Sequence, residues 1–115
     1  MTAPGSTAPG AAALAPGRID FRRINASAVR NGEAVAQAFL PDGRREGREW
    51  TARNPRRADR RLGSFKVNLD TGKGADFASG DRFSDFVGMV AFVQAISQRE
   101  AALRLAEALG VHPYE

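Results

Sequence analysis

Five arginines fall within the nine residues from Arg53 to Arg61, RNPRRADRR, and that density of guanidinium groups carries its own chemistry. Guanidinium forks crowded this closely repel one another. A phosphate backbone running past them relieves the repulsion and offers the oxygen geometry they bind best. Pro55 and Gly63 argue for a loop rather than a helix here. A solvated charged loop is the ordinary reading of such a run, but the crowding favours contact with a polyanion. Lys66 and Lys73 add cations nearby, and Trp50, Phe65, Phe77 and Phe83 add rings. Single-stranded nucleic acid is held by that combination, a basic groove beside aromatic platforms for its bases. Arg53, Arg56, Arg57, Arg60, Arg61, Lys66 and Lys73 are therefore the candidate phosphate contacts. Phe83, in a loop, is the candidate exposed ring, whereas strand alternation assigns Trp50, Phe65 and Phe77 to the core.

Other chemistries find little to work with. Asp76, Asp81 and Asp85 form the one acidic cluster, but their spacing is not that of a calcium loop and no His or Glu joins them. Asp81 reads as a turn residue and Asp85 as a helix cap. With no cysteine, disulfides, thiolate zinc sites and cysteine nucleophiles are excluded together. His112, the single histidine, sits in a Gly-Val-His-Pro tail without the partners that acid–base work requires. Gly72, Gly74 and Gly80 do not open a helix at the spacing of a phosphate loop. The expectation is a binding protein rather than an enzyme, with no metal and no cofactor.

Charge is distributed unevenly. The formal net charge is +4, yet residues 43–66 hold nine basic against three acidic side chains, and residues 67–115 hold four against seven. A local basic patch of this kind is what attracts a polyanion. Residues 1–17 carry no charge and are nearly all Ala, Pro, Gly, Ser and Thr, the composition of a disordered tail without the features of a signal peptide. Residues 18–115 then make one domain. No run approaches the ~20 apolar residues of a membrane span, and the expected location is the cytoplasm.

Periodicity and turn residues assign secondary structure along the chain. Arg18 to Leu40 reads as helix interrupted at Asn31-Gly32, with Asn31 able to cap the second part. Pro41-Asp42-Gly43 is a turn, and GREWTAR (Gly47 to Arg53) alternates as a strand. Ser64 to Ala78, SFKVNLDTGKGADFA, reads as a β-hairpin. Phe65, Val67, Leu69, Ala75 and Phe77 face inward in that reading, while Lys66, Asn68 and Lys73 face outward. Phe86 to Ile96 is apolar except at Gly88 and Gln94, a helix to be covered on most sides. Ser97-Gln98-Arg99-Glu100 is a capping box opening a last helix that Gly110 closes. The predicted fold is α+β: a three-stranded antiparallel sheet backed by a C-terminal helical hairpin, with an N-terminal helical segment.

Five short runs carry a family resemblance: Gly47-Arg48-Glu49-Trp50, Asn54-Pro55-Arg56-Arg57-Ala58-Asp59, Gly63-Ser64-Phe65-Lys66-Val67-Asn68, Ala75-Asp76-Phe77-Ala78 and Gly80-Asp81. Through them, from about Ile19 to Val111, the chain resembles the N-terminal template-binding domain of bacterial and phage DNA primases. That domain is the zinc-ribbon module preceding the Toprim catalytic core. The chain is most similar to its cysteine-free version in proteins of phages and integrative elements. Metal-binding members carry a Cys-Pro-x-His pair before the Ser-Phe-x-Val-Asn strand and a Cys-x-x-Cys pair after it. The matching positions here are Asn54 and Arg57, then Asp76 and Ser79, which cannot hold zinc as thiolates do. The resemblance thus implies a metal-free, zinc-ribbon-like sheet in which a hydrogen-bonded, salt-bridged corner replaces the ion. Asp76 with Arg57, or Asp59 with a neighbouring arginine, would be the pairs.

The same resemblance implies binding of single-stranded template DNA by the sheet face, with Arg53, Arg56, Arg57, Lys66 and Lys73 at matched positions. Two places depart from the pattern. Gly74 stands where relatives usually carry an aromatic, and Phe83-Ser84 replaces a Gly-Gly pair. The expected function is that of a non-catalytic DNA-binding module in the replication system of a mobile element. The alternative is a protein-interaction or inhibitor module that keeps the fold and docks on a replication or host nucleic-acid-processing protein.

Overall fold

Phe65 and Val67 are buried while Lys66 and Asn68 between them are only half-buried, so the alternation in the sequence is a strand with a covered face. The computed structural model describes residues 17–56 and 64–115. Among these residues the strand is the centre of a five-stranded antiparallel meander, β1 (Arg44–Glu46), β2 (Glu49–Ala52), β3 (Phe65–Asn68), β4 (Gly74–Asp76) and β5 (Arg82–Phe83), in spatial order of the chain. Residues 1–16, and with them nearly all of the uncharged N-terminal stretch, lie outside the described residues, as do Arg57, Arg60 and Arg61.

The sheet has two strands more than the three expected. Arg44–Glu46 is exposed at every position, so no apolar alternation marks it. It is recruited as an edge by a two-residue link in which Gly47 adopts φ +65°, a conformation that tight hairpins favour. Its charges suit an edge that must not pair with another chain. β5 is only two residues long and follows a turn, which is why it reads as loop.

Among the described residues four helices cover the inner face: α1 (Phe21–Arg30), α2 (Gly32–Phe39), α3 (Phe86–Gln94) and α4 (Gln98–Leu109). α3 packs against α1, α4 and β5, which accounts for its nearly continuous apolar sequence. Phe86, Val87, Met89 and Val90 are all buried. They join Ile24 from α1, Leu105 from α4 and Trp50, Phe65 and Val67 from the sheet in one core. Trp50 buries its ring but keeps its indole N–H satisfied, donating to the Leu40 carbonyl at 2.9 Å. The two ends of the domain meet at a bridge between Ile19 and Tyr114.

The caps differ in part from expectation. Asp85 accepts from the Gly88 amide at 2.7 Å and Ser97 from the Glu100 amide at 3.0 Å. The Glu100 carboxylate does not complete the capping box, because Arg104 one turn on donates to it at 3.0 Å. Asn31 stands at the N-cap of α2 without bonding there; its side-chain amide donates back to the Ser27 carbonyl at 2.8 Å and so finishes α1.

Gly72, at φ +83°, turns the β3–β4 link against α3, where a Cβ would come within 2.6 Å of the Phe86 ring. Ala95 takes the left-handed conformation (φ 56°) at the end of α3, and the next amide, Ile96, donates back to the Ala91 carbonyl at 3.1 Å. That is a Schellman closure with a β-carbon where glycine is preferred. Ala95→Gly should therefore raise stability by about 1 kcal/mol. A thermal melt should show a midpoint several degrees higher, and an unchanged or lower one would mean the left-handed cap costs nothing here.

Candidate nucleic-acid interface

Two buried polar side chains lie just past β2 and at the end of β4. Asn54 and Asp76 are 1% and 0% exposed, and the Asn54 Nδ2 donates to Asp76 Oδ2 at 2.7 Å. Each also organises its own segment. Asn54 Oδ1 accepts from the Arg56 amide at 2.8 Å, and Asp76 Oδ1 accepts from the Ala78 amide at 2.9 Å. These are side-chain-made turns, a habit of Asn and Asp. The turn after Asp76 is closed by its own backbone, with the Gly80 amide donating to the Asp76 carbonyl at 2.7 Å and the Asp76 amide to the Asp81 carbonyl at 2.8 Å. A carboxylate survives such burial only when hydrogen bonds replace its water. Of the pairs expected at this corner, Asp76 with Arg57 and Asp59 with a neighbouring arginine each include a residue, Arg57 or Asp59, outside those described.

Strand register sets what the opposite face displays. Arg44, Thr51, Lys66, Ala75 and Arg82 stand directly across from one another on successive strands, and so share a face. Phe65 and Val67 point the other way, into the core. The β1–β2 half of this outer face is internally neutralised. Arg44 pairs with Glu46 at 3.1 Å and Lys66 with Glu49 at 3.8 Å. Glu46 has its pKa lowered, first by the Thr51 hydroxyl that donates to it at 2.8 Å and then by Arg44, so it stays ionised well below neutral pH. The other half is different. Lys73 and Arg82 are exposed and make no ion pair among the described residues, and Arg53, exposed just past β2, is likewise without one.

The expected site residues are thus only partly brought together. Lys66 and Lys73 lie on the β3–β4 hairpin with the outer face, as expected. Arg56 does not join them: its guanidinium lies over the Phe92 ring at 5.2 Å, against α3. Arg82 is an addition to the outer face that sequence reasoning missed, since β5 carries too few residues to show a period.

Of the four aromatic assignments, Trp50 and Phe65 are buried as expected, while those of Phe77 and Phe83 are reversed. Phe83 is half-buried rather than exposed, its ring 5.9 Å from those of both Phe65 and Phe92. Its ring covers Gly74, where an added Cβ would come within 2.3 Å of it. Phe77, expected in the core, is 73% exposed. The cause is the register: Asp76 stands opposite Phe65 on the inner face and Ala75 opposite Lys66 on the outer. Phe77 follows Asp76 into the turn and is turned out. The inward position goes to a carboxylate because Asn54 is there to receive it.

Asp76, Asp81 and Asp85 do not converge. Asp81 accepts from the Ser79 hydroxyl at 2.8 Å, and Asp85 caps α3 while accepting from Asn25 at 3.2 Å. Among the described residues no group of three or more acidic or histidine side chains is placed to hold a metal ion, and no helix is long and apolar enough to cross a membrane. No protein-family model matches the chain, and no curated protein matches it significantly. Asp76→Ala should destabilise the domain by about 2–4 kcal/mol, since it removes the buried hydrogen bond to Asn54 and the acceptor of the Ala78 amide. Urea unfolding measures this, and a loss under about 0.5 kcal/mol would show the corner to be dispensable.

Proposed function

We propose that the chain is a non-catalytic nucleic-acid-binding module that holds single-stranded DNA against the outer face of its sheet, as a primase-type domain of a mobile-element replication system. The observation that carries this reading is the half-sheet beyond Lys66. There Lys73 and Arg82 are exposed with no ion pair among the described residues. Cations left uncompensated beside one another lower the stability of the free protein and are relieved by a polyanion. Arg53, Lys66, Lys73 and Arg82 are the phosphate contacts in this reading, with Arg57, Arg60 and Arg61 of the same basic run assigned with them on sequence alone. Arg56, occupied with Phe92, contributes only after leaving that ring.

Two details support the metal-free zinc-ribbon reading. Asn54 and Asp76, which match metal-ligand positions of the primase module, are buried and bonded to each other. A hydrogen bond there links the same two turns that the metal would link. The departures at Gly74 and Phe83 also meet: the two residues pair across β4 and β5, and the ring of one fills the space over the other. An aromatic lost from one strand is in effect supplied by its neighbour.

Fluorescence anisotropy with labelled single-stranded and duplex oligonucleotides at several salt concentrations tests the proposal. Affinity for the single strand should fall with a log–log slope of about 0.7 per phosphate neutralised. Lys73→Glu with Arg82→Glu should abolish binding at moderate salt while leaving the circular dichroism unchanged. A folded parent that binds no oligonucleotide even at low salt would contradict the reading and turn attention to protein partners.

A further inference from the structure

Phe77 is the most exposed large apolar side chain among the described residues, at 73% against 41% for Val29 and 39% for Phe21. It is also firmly mounted. Its own amide donates to the Ser64 carbonyl at 2.8 Å, the next amide is held by Asp76 Oδ1, and the turn behind it is closed by the Gly80 amide. A ring on a rigid turn is displayed without the ordering cost that a mobile loop would incur on binding.

What surrounds the ring narrows what it is displayed to. Phe77, Lys73, Gly74, Ala75 and Arg82 border an open depression of about 430 Å³. Gly74 and Ala75 contribute almost no side chain, so backbone and a methyl group are what they add to its surface. The remaining borders are the exposed Phe77 ring, the half-buried Phe83 with Ser84 beside it, and two cations that make no ion pair among the described residues. An apolar protein hot spot is normally ringed by further apolar contacts that exclude water. Here the neighbours are Lys73, Arg82, Gly74, Ala75 and Ser84, and the one further ring, Phe83, is half-buried against Phe65 and Phe92. A flat face beside positive charges is matched by a nucleobase and the phosphates on either side of it. A duplex presents no such face, because its bases are already stacked.

We infer that Phe77 is the stacking platform for one unpaired nucleobase, with Lys73 and Arg82 holding the adjoining phosphates. This rests on the nucleic-acid reading of the outer face and adds to it a named ring, a strand preference and a contribution independent of salt. Stacking and charge make separable signatures. Phe77→Ala should weaken single-strand binding roughly 10-fold or more while leaving the slope of log Kd against log salt unchanged. Duplex binding should not change. Lys73→Gln with Arg82→Gln should lower that slope by about 1.4, two phosphates at 0.7 each. Phe77→Trp should retain affinity, and its fluorescence should be quenched by single strands, against a parent whose one tryptophan, Trp50, is buried.

The measurement is anisotropy on the full chain and these variants with a labelled deoxyoligonucleotide and its duplex. If the parent binds and the cation variant loses slope while Phe77→Ala binds as the parent does, the stacking assignment is overturned and the nucleic-acid reading stands. Equal weakening of single strand and duplex by Phe77→Ala also overturns it. Absence of binding by the parent at low salt overturns both.

Discussion

The hydrogen bond between Asn54 and Asp76 is the constraint on which the rest of the exposed architecture depends. Both groups are fully withdrawn from water, and each also fixes an amide two residues along its own chain. This contact ties the exit of β2 to the turn between β4 and β5. Apolar packing could not do this at the end of so short a sheet, because burial is non-directional and two-residue strands have little area to offer. A directional bond between buried groups specifies one arrangement, and its cost of desolvation is offset only in that arrangement.

On the covered side the sheet is held by rings. Phe65, Phe83 and Phe92 lie within 6 Å of one another, centre to centre, with Arg56 over the ring of Phe92. Gly74 makes this possible, since any side chain there would collide with Phe83. The short edge strand β5 is thereby anchored to α3 by its one large residue. Inner and outer faces divide the work: rings and aliphatic side chains hold the sheet to the helices, and the proposed interface uses what the pleat turns the other way.

The sequence was most legible where one period ran long enough to be counted. Phe65 and Val67 against Lys66 and Asn68, the apolar run from Phe86, and Ser97 ahead of the last helix each appear where expected. β1 and β5 were illegible for opposite reasons, one having no apolar residue and the other only two residues in all. Phe77 was misplaced because a phenylalanine two residues after Ala75 looks like continued alternation. Only the partner that buries Asp76, in a segment twenty-two positions away, shows the inner face to be taken. Part of the candidate site was legible: Lys66 and Lys73 share the expected hairpin. Arg56 was not, because a cation near an aromatic helix in space is not near it in sequence.

The β3–β5 half of the outer face is the proposed binding surface for single-stranded nucleic acid. Amide chemical shifts of the isotope-labelled protein, followed during titration with a short deoxyoligonucleotide, test it most directly. Changes should concentrate at Lys66, Lys73 to Phe77 and Arg82, with α1 and α2 unaffected. Changes centred on the helices, or none at a concentration where the protein remains folded, would contradict it.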